Sequence, residues 1–214
     1  MKKLSILSIC IFGAITSVFA QAGYTPATEA QQKEMMQKIT EATEQLQTLR
    51  CDFVQKKTIS ILEDEMLSEG RMSFKQPDKL RWEYTKPYQY EFVMNGDKVM
   101  LTSETTKNII EVNSSKIFSE ISKIIVSGIN GSGILDRSKF SAQFMVGTKE
   151  DMVILIPKQK EIKQLFNKIQ ICFNKSDYTV NSVEIEELNE DKTLIEMRNK
   201  QINKELGDEV FDIR

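Results

Sequence analysis

The chain has 214 residues, and 28% of them are charged, yet the formal net charge is only −2 because 29 Lys and Arg stand against 31 Asp and Glu. Acids and bases are interleaved, so the clustered basic face that nucleic-acid binding needs is missing and no nucleic-acid partner is expected. There is no histidine, which removes Ser-His-Asp and Cys-His chemistry and the usual zinc ligands together.

The first residues read as an export signal. Lys2 and Lys3 precede an apolar run from Leu4 to Phe19, and Ala20 supplies a small residue at its end. Residues 1–20 are therefore expected to be a cleaved signal peptide, since the run is too short to span a bilayer comfortably. Cys10 follows Ile9 where a lipid-attachment signal would place a small residue, so it does not mark a lipoprotein. The mature chain, residues 21–214, has a size ordinary for one domain, and an oxidising compartment, the periplasm, is its expected location. Its two cysteines, Cys51 and Cys172, could pair there, but nothing local brings them together, and two free thiols are the plainer expectation.

In chain order, Glu29 to Leu49 comes first. Met35, Ile39, Ala42, Leu46 and Leu49 recur every three or four residues, with Thr28 placed as N-cap, and predict an amphipathic helix. After Arg50 the period becomes two, through Cys51, Phe53 and Gln55 to about Ile59. A second strand is expected from Glu65 to Lys75, ended by the turn at Pro77-Asp78. Leu80, Trp82 and Tyr84 alternate with Lys79, Arg81 and Glu83; Tyr90, Phe92 and Met94 form the next strand, and Asn95-Gly96 signals a hairpin. Val99 and Leu101 follow, then a strand at Ile109 to Val112, which completes an antiparallel meander.

Residues 114–127 interrupt it with an apolar helical stripe of Ile117, Phe118, Ile121, Ile124 and Ile125, followed by Gly128, Gly131 and Gly133. Further strands are expected at Phe140–Val146, Met152–Ile156, Gln164–Phe173, Thr179–Glu187 and Thr193–Met197, with a short last one near Val210 to Ile213. The fold class is α+β: one strongly curved antiparallel sheet with a leading helix and an inserted helix.

No Gly-rich phosphate loop, metal-ligand spacing or nucleophile elbow occurs, so neither catalysis, a metal nor a cofactor is expected. Acid clusters such as Glu184, Glu186 and Glu187 read as solvated strand faces. Large apolar side chains carry more information. Phe53, Met72, Phe74, Leu80, Trp82, Tyr84, Tyr90, Phe92, Met94 and Leu101 fall at alternate positions of successive strands and should share one face. Such a face makes either a filled core or the wall of a cavity. A curved sheet of many strands favours a ligand cavity, and the glycine-bounded helix 114–127 would be its lid. Met72, Met94 and Met145 would add adaptable surface to it.

At these residues the sequence resembles the LolA family of outer-membrane lipoprotein carriers. The helix from residue 29 leads into Phe53-Val54-Gln55, matching that family's Phe-x-Gln. Gly70-Arg71-Met72-Ser73-Phe74-Lys75-Gln76-Pro77, Lys79-Leu80-Arg81-Trp82-Glu83-Tyr84 and Asn95-Gly96-Asp97-Lys98-Val99 follow in the family's order. The resemblance implies a half-open barrel with helices lidding its concave side and an apolar cavity that takes lipoprotein acyl chains. It implies two partners as well: an inner-membrane ABC-type complex that releases the cargo and an outer-membrane acceptor that receives it. A shuttle is expected to be a monomer. In the family an Arg before the Pro hydrogen-bonds lid carbonyls; here Gln76 holds that latch position, and an uncharged donor should bond more weakly. A periplasmic sensor that binds lipid or lipoprotein, or a carrier of another envelope lipid, would share all these features.

Overall fold

A computed structural model describes residues 23–61, 64–111 and 137–213. The expected signal peptide and the expected lid residues Ile117, Phe118, Ile121, Ile124 and Ile125 lie outside the described residues.

One antiparallel sheet of twelve strands organises the chain. Its strands are β1 (Thr25–Pro26), β2 (Thr48–Ile59), β3 (Asp64–Lys75), β4 (Lys79–Lys86), β5 (Tyr90–Asn95), β6 (Lys98–Ser103), β7 (Lys107–Glu111), β8 (Phe140–Val146), β9 (Glu150–Pro157), β10 (Phe166–Asn174), β11 (Val180–Glu187) and β12 (Lys192–Ile202). The spatial order is β1-β8-β9-β10-β11-β12-β2-β3-β4-β5-β6-β7. Two meanders, β2 to β7 and β8 to β12, are thus joined where β12 pairs with β2. The outermost strands β1 and β7 do not pair with each other, so the curved sheet stays open and the α+β half-barrel is realised.

The helix α1 spans Glu29–Gln45 and starts as the sequence dictates. Thr28 Oγ1 accepts from the Gln31 N–H at 3.3 Å, and Gln31 Oε1 accepts from the Thr28 N–H at 2.9 Å, a reciprocal cap. Its end comes earlier than the expected Leu49. Asn203 Oδ1 takes the Gln47 N–H at 2.8 Å while Asn203 Nδ2 donates to the Gln45 carbonyl at 2.9 Å, which ties the helix end to the end of β12. Leu46 becomes the C-cap in an extended conformation, and Leu49 is a buried residue of β2. Its three-residue spacing from Leu46 belonged to two different elements.

The hairpin signalled by Asn95-Gly96 forms between β5 and β6, with Gly96-Asp97 as its two-residue loop, because Asn95 pairs with Lys98. Gly96 takes the positive φ of +59° that the first loop position of this tight turn requires. The segment near Val210 is not a strand but a 3-10 helix, Asp208–Phe211. There Phe211 and Leu206 pack on Val93 and Met100 of the outer sheet face, and Lys75 and Lys79 hold Asp208 at 2.6 and 3.0 Å. Before β10, a short helix at Lys160–Lys163 delays the strand to Phe166.

Candidate functional site

The strand pairings set the inner face in rows. Leu49, Phe74, Leu80, Met94 and Val99 stand opposite one another across β2 to β6. One row on, Cys51, Met72, Trp82, Phe92 and Leu101 do the same, followed by Phe53, Gly70, Tyr84 and Tyr90. Two residues along a strand keep the same face, so all ten expected wall residues share one side.

Helix α1 covers only one end of that side. Ala27, just before it, donates its N–H to the Phe144 carbonyl, and Gln76 Nε2 donates to the Thr43 carbonyl in its last turn at 3.0 Å. The Gln76 anchor lies in the β3–β4 connection, and the Phe144 anchor lies within β8, two residues before its end. Met35 and Ile39 of α1 are buried in the same cluster as Phe74, Leu80 and Met72. Gln76, the latch position, therefore binds the C-terminal turn of α1.

The result is a gradient. Met72, Phe74 and Leu80 are 0% exposed, and Phe53 and Met94 no more than 3%, so these five are enclosed by other side chains. They are packed core. Trp82, Tyr84, Phe92 and Leu101 are half-buried, and Tyr90 is exposed. Val183, Ile185 and Ile195 of β11 and β12 extend this half-buried area, since Ile195 pairs with both Gln55 and Val183. Alternation of Val183 and Ile185 with glutamates was visible in the sequence; only the β12–β2 pairing joins them to the aromatic wall. Met145 departs from expectation, packing with Met152 and Ile154 on the outer face.

The aromatic wall is locally ordered. The Phe53 ring lies 4.4 Å from Trp82 and 5.2 Å edge-on from Tyr84, centroid to centroid. Gly70 makes that possible, because a Cβ there would collide with the Phe53 ring and the Glu83 carbonyl. Tyr84 Oη donates to Gln55 Oε1 at 2.8 Å, and burial raises the Tyr84 pKa. Trp82 Nε1 leans on the Tyr84 hydroxyl without reaching hydrogen-bond geometry and is a buried donor lacking an acceptor. Such a surface offers non-directional apolar contact with very few polar groups. Among the described residues, no cluster of three His, Cys, Asp or Glu side chains is placed to hold a metal.

The outer face carries a polar pocket of about 330 Å³, around Arg50, Arg71, Arg81, Asp52 and Glu83. Arg81 pairs with Glu91 at 2.7 Å, and Asp52 accepts from Asn199. Sequence reasoning had no signal for it.

The family model described as outer membrane lipoprotein carrier protein LolA matches residues 44–214. The chain belongs to the LolA family. An outer-membrane lipoprotein carrier protein of Francisella tularensis is 25% identical over 217 residues, covering all of this chain and 93% of its own. A Methylococcus capsulatus protein of the same description is 28% identical over 116 residues, about half of each chain (53%). Among solved structures, MucB superposes with a TM-score of 0.54 at 8% identity, over 89% of this chain and 65% of its own. An uncharacterized conserved protein of Thermus thermophilus gives 0.52 at 9% identity, over 84% and 91%. These two share the fold. Carriers, rather than a catalytic family, are what the LolA match identifies.

Proposed function

We propose that this protein is a periplasmic carrier that holds lipoprotein acyl chains against the half-buried part of its inner face and moves them from the inner to the outer membrane. The observation that carries this reading is the division of one continuous apolar face into a packed end under α1 and an incompletely covered end at Trp82, Tyr84, Phe92 and Leu101. A solid core would have no uncovered end.

The physical need is plain. Each CH₂ moved from lipid into water costs about 0.8 kcal/mol, so a chain of ~15 carbons faces roughly 12 kcal/mol. An apolar surround removes most of that cost, and contact without directionality suits cargo that is alike in its lipid and diverse in its protein. Ile117, Phe118, Ile121, Ile124 and Ile125 would supply the lid, the leader 1–20 the export, and residues 21–214 the single carrier domain. An ABC-type releasing complex would load the carrier and an outer-membrane acceptor unload it.

Native mass spectrometry of protein purified from membrane-containing cells, with displacement of an apolar fluorescent dye, tests the reading. Retained acyl species and dye binding are expected, with Phe92→Glu weakening the dye far more than Glu91→Ala on the opposite face. No lipid and no dye, or equal effects of the two substitutions, would overturn it.

A further inference from the structure

Strand direction divides the sheet into two ends. The end crossed by α1 holds the β3–β4, β5–β6, β8–β9 and β10–β11 connections; the opposite end holds β2–β3, β4–β5, β6–β7, β9–β10 and β11–β12. The large exposed apolar side chains are distributed unequally between them. Ile61 (84% exposed), Met66 and Leu67 stand on the β2–β3 hairpin, Tyr88 (74%) on β4–β5, Leu165 on β9–β10 and Leu188 on β11–β12. Among the described residues, none of the connections at the α1 end carries one. The apolar tips thus stand at the end towards which the described inner face is only half-buried.

We propose that this rim of tips inserts into a lipid surface, setting the half-buried end of the inner face directly against the bilayer. The inference rests on the carrier reading and deepens it: a chain entering a mouth pressed to the membrane never crosses water. Lipid, rather than a protein, is favoured by shape. Tips on separate hairpins would leave gaps against a rigid partner, whereas fluid acyl chains fill around each one. Tyr88 has the amphipathic ring that suits the headgroup level.

Charge is compatible too. Glu65, Glu69, Glu186 and Glu187 at this end are neutralised by Lys56, Lys86, Lys168 and Lys57. Of the other charges at this end, Lys107, Lys158, Lys160, Lys163 and Lys192 stand against Asp64, Glu104, Glu161, Glu190 and Asp191, which is an even balance. An anionic headgroup layer is therefore met without repulsion.

Flotation of residues 21–214 with protein-free vesicles, phosphatidylethanolamine and phosphatidylglycerol at about three to one, tests it. The chain should float. Ile61→Asp/Leu67→Asp should cut the bound fraction about tenfold, while Ile109→Asp, an exposed apolar site off the rim on β7, changes it less than about twofold. These side chains are exposed, so the variants should melt like the parent and keep the dye. A parent chain that binds dye but does not float overturns the rim proposal and leaves the carrier reading standing. Loss of both dye and vesicle binding overturns both. Equal flotation of rim and control variants, or flotation with native envelope vesicles and not with pure lipid, also overturns it, the latter assigning the rim to a protein.

Discussion

Leu80 and Leu101 carry the same side chain on the same face, two strands apart, and they should answer the same substitution differently. Leu80 is 0% exposed beneath α1, so Leu80→Ala opens a cavity among Phe74, Met94 and the helix. That costs about 2–5 kcal/mol. A domain of this size loses roughly 2–4 °C of Tm per kcal/mol, which puts the drop between about 4 and 20 °C. Leu101 is only half-buried, so its truncation should cost about 1 kcal/mol or less in stability. Its effect belongs to binding. Three carbons lost from a contact surface, at about 0.8 kcal/mol each, weaken an acyl ligand by up to about 2 kcal/mol, or roughly 30-fold. Thermal melts and displacement of an apolar dye on both variants measure the pair. The division between core and wall is refuted if Leu101→Ala melts as low as Leu80→Ala and leaves dye affinity unchanged.

Trp82→Phe removes a buried N–H that has no acceptor, so the lost desolvation penalty should offset the smaller ring, and ΔΔG by urea unfolding should stay below about 1 kcal/mol. Cys51 lies in the inner core with its thiol pushed by burial up to about 12, and Cys172 packs on the outer face with its pKa also raised by burial. Separated by the sheet, they should both count as free thiols after unfolding, and Cys51 should resist alkylation at about pH 8 in the native protein; a recovered disulfide would contradict this. Asp191 accepts from the Ser60 N–H at 2.9 Å, and that bond holds its carboxyl below the usual carboxylate range. A depressed folded pKa means stability present above about pH 4 and lost as pH falls through it. The stability gap between parent and Asp191→Asn should accordingly be flat from neutral pH to about 5 and close in stronger acid; a gap that widened in acid would reverse the assignment.

Strands and faces were legible in the sequence because period-two alternation is a local signal. Trp82 against Arg81 and Glu83, or Phe92 against Glu91, declares its side without knowledge of any partner. The start of α1 was equally local, written in Thr28 and Gln31. What was illegible depends on contacts distant in sequence. The helix end is set by Asn203, more than a hundred and fifty positions away, so Leu49 read as helix when it is strand. The division of the aromatic face into core and open wall follows from where α1 is anchored, at Phe144 and at Gln76, and no spacing within Phe53 to Leu101 encodes it. The C-terminal Val-Phe-Asp-Ile alternates like a strand, yet Lys75 and Lys79 capture Asp208 and turn it into a 3-10 cap on the outer face. The family order of motifs carried recognition through these local errors, because it depends on sequence of elements and not on their bounds.

Extraction is the property that separates a carrier from a module that only senses or binds lipid. Residues 21–214, incubated with spheroplasts that are synthesising an acylated lipoprotein, should release that lipoprotein into the supernatant as a soluble complex that co-elutes with them, and Phe92→Glu should release much less. Lipoprotein that stays with the membrane pellet while the parent chain still binds an apolar dye would contradict the shuttle and leave a lipid-binding protein that does not transport.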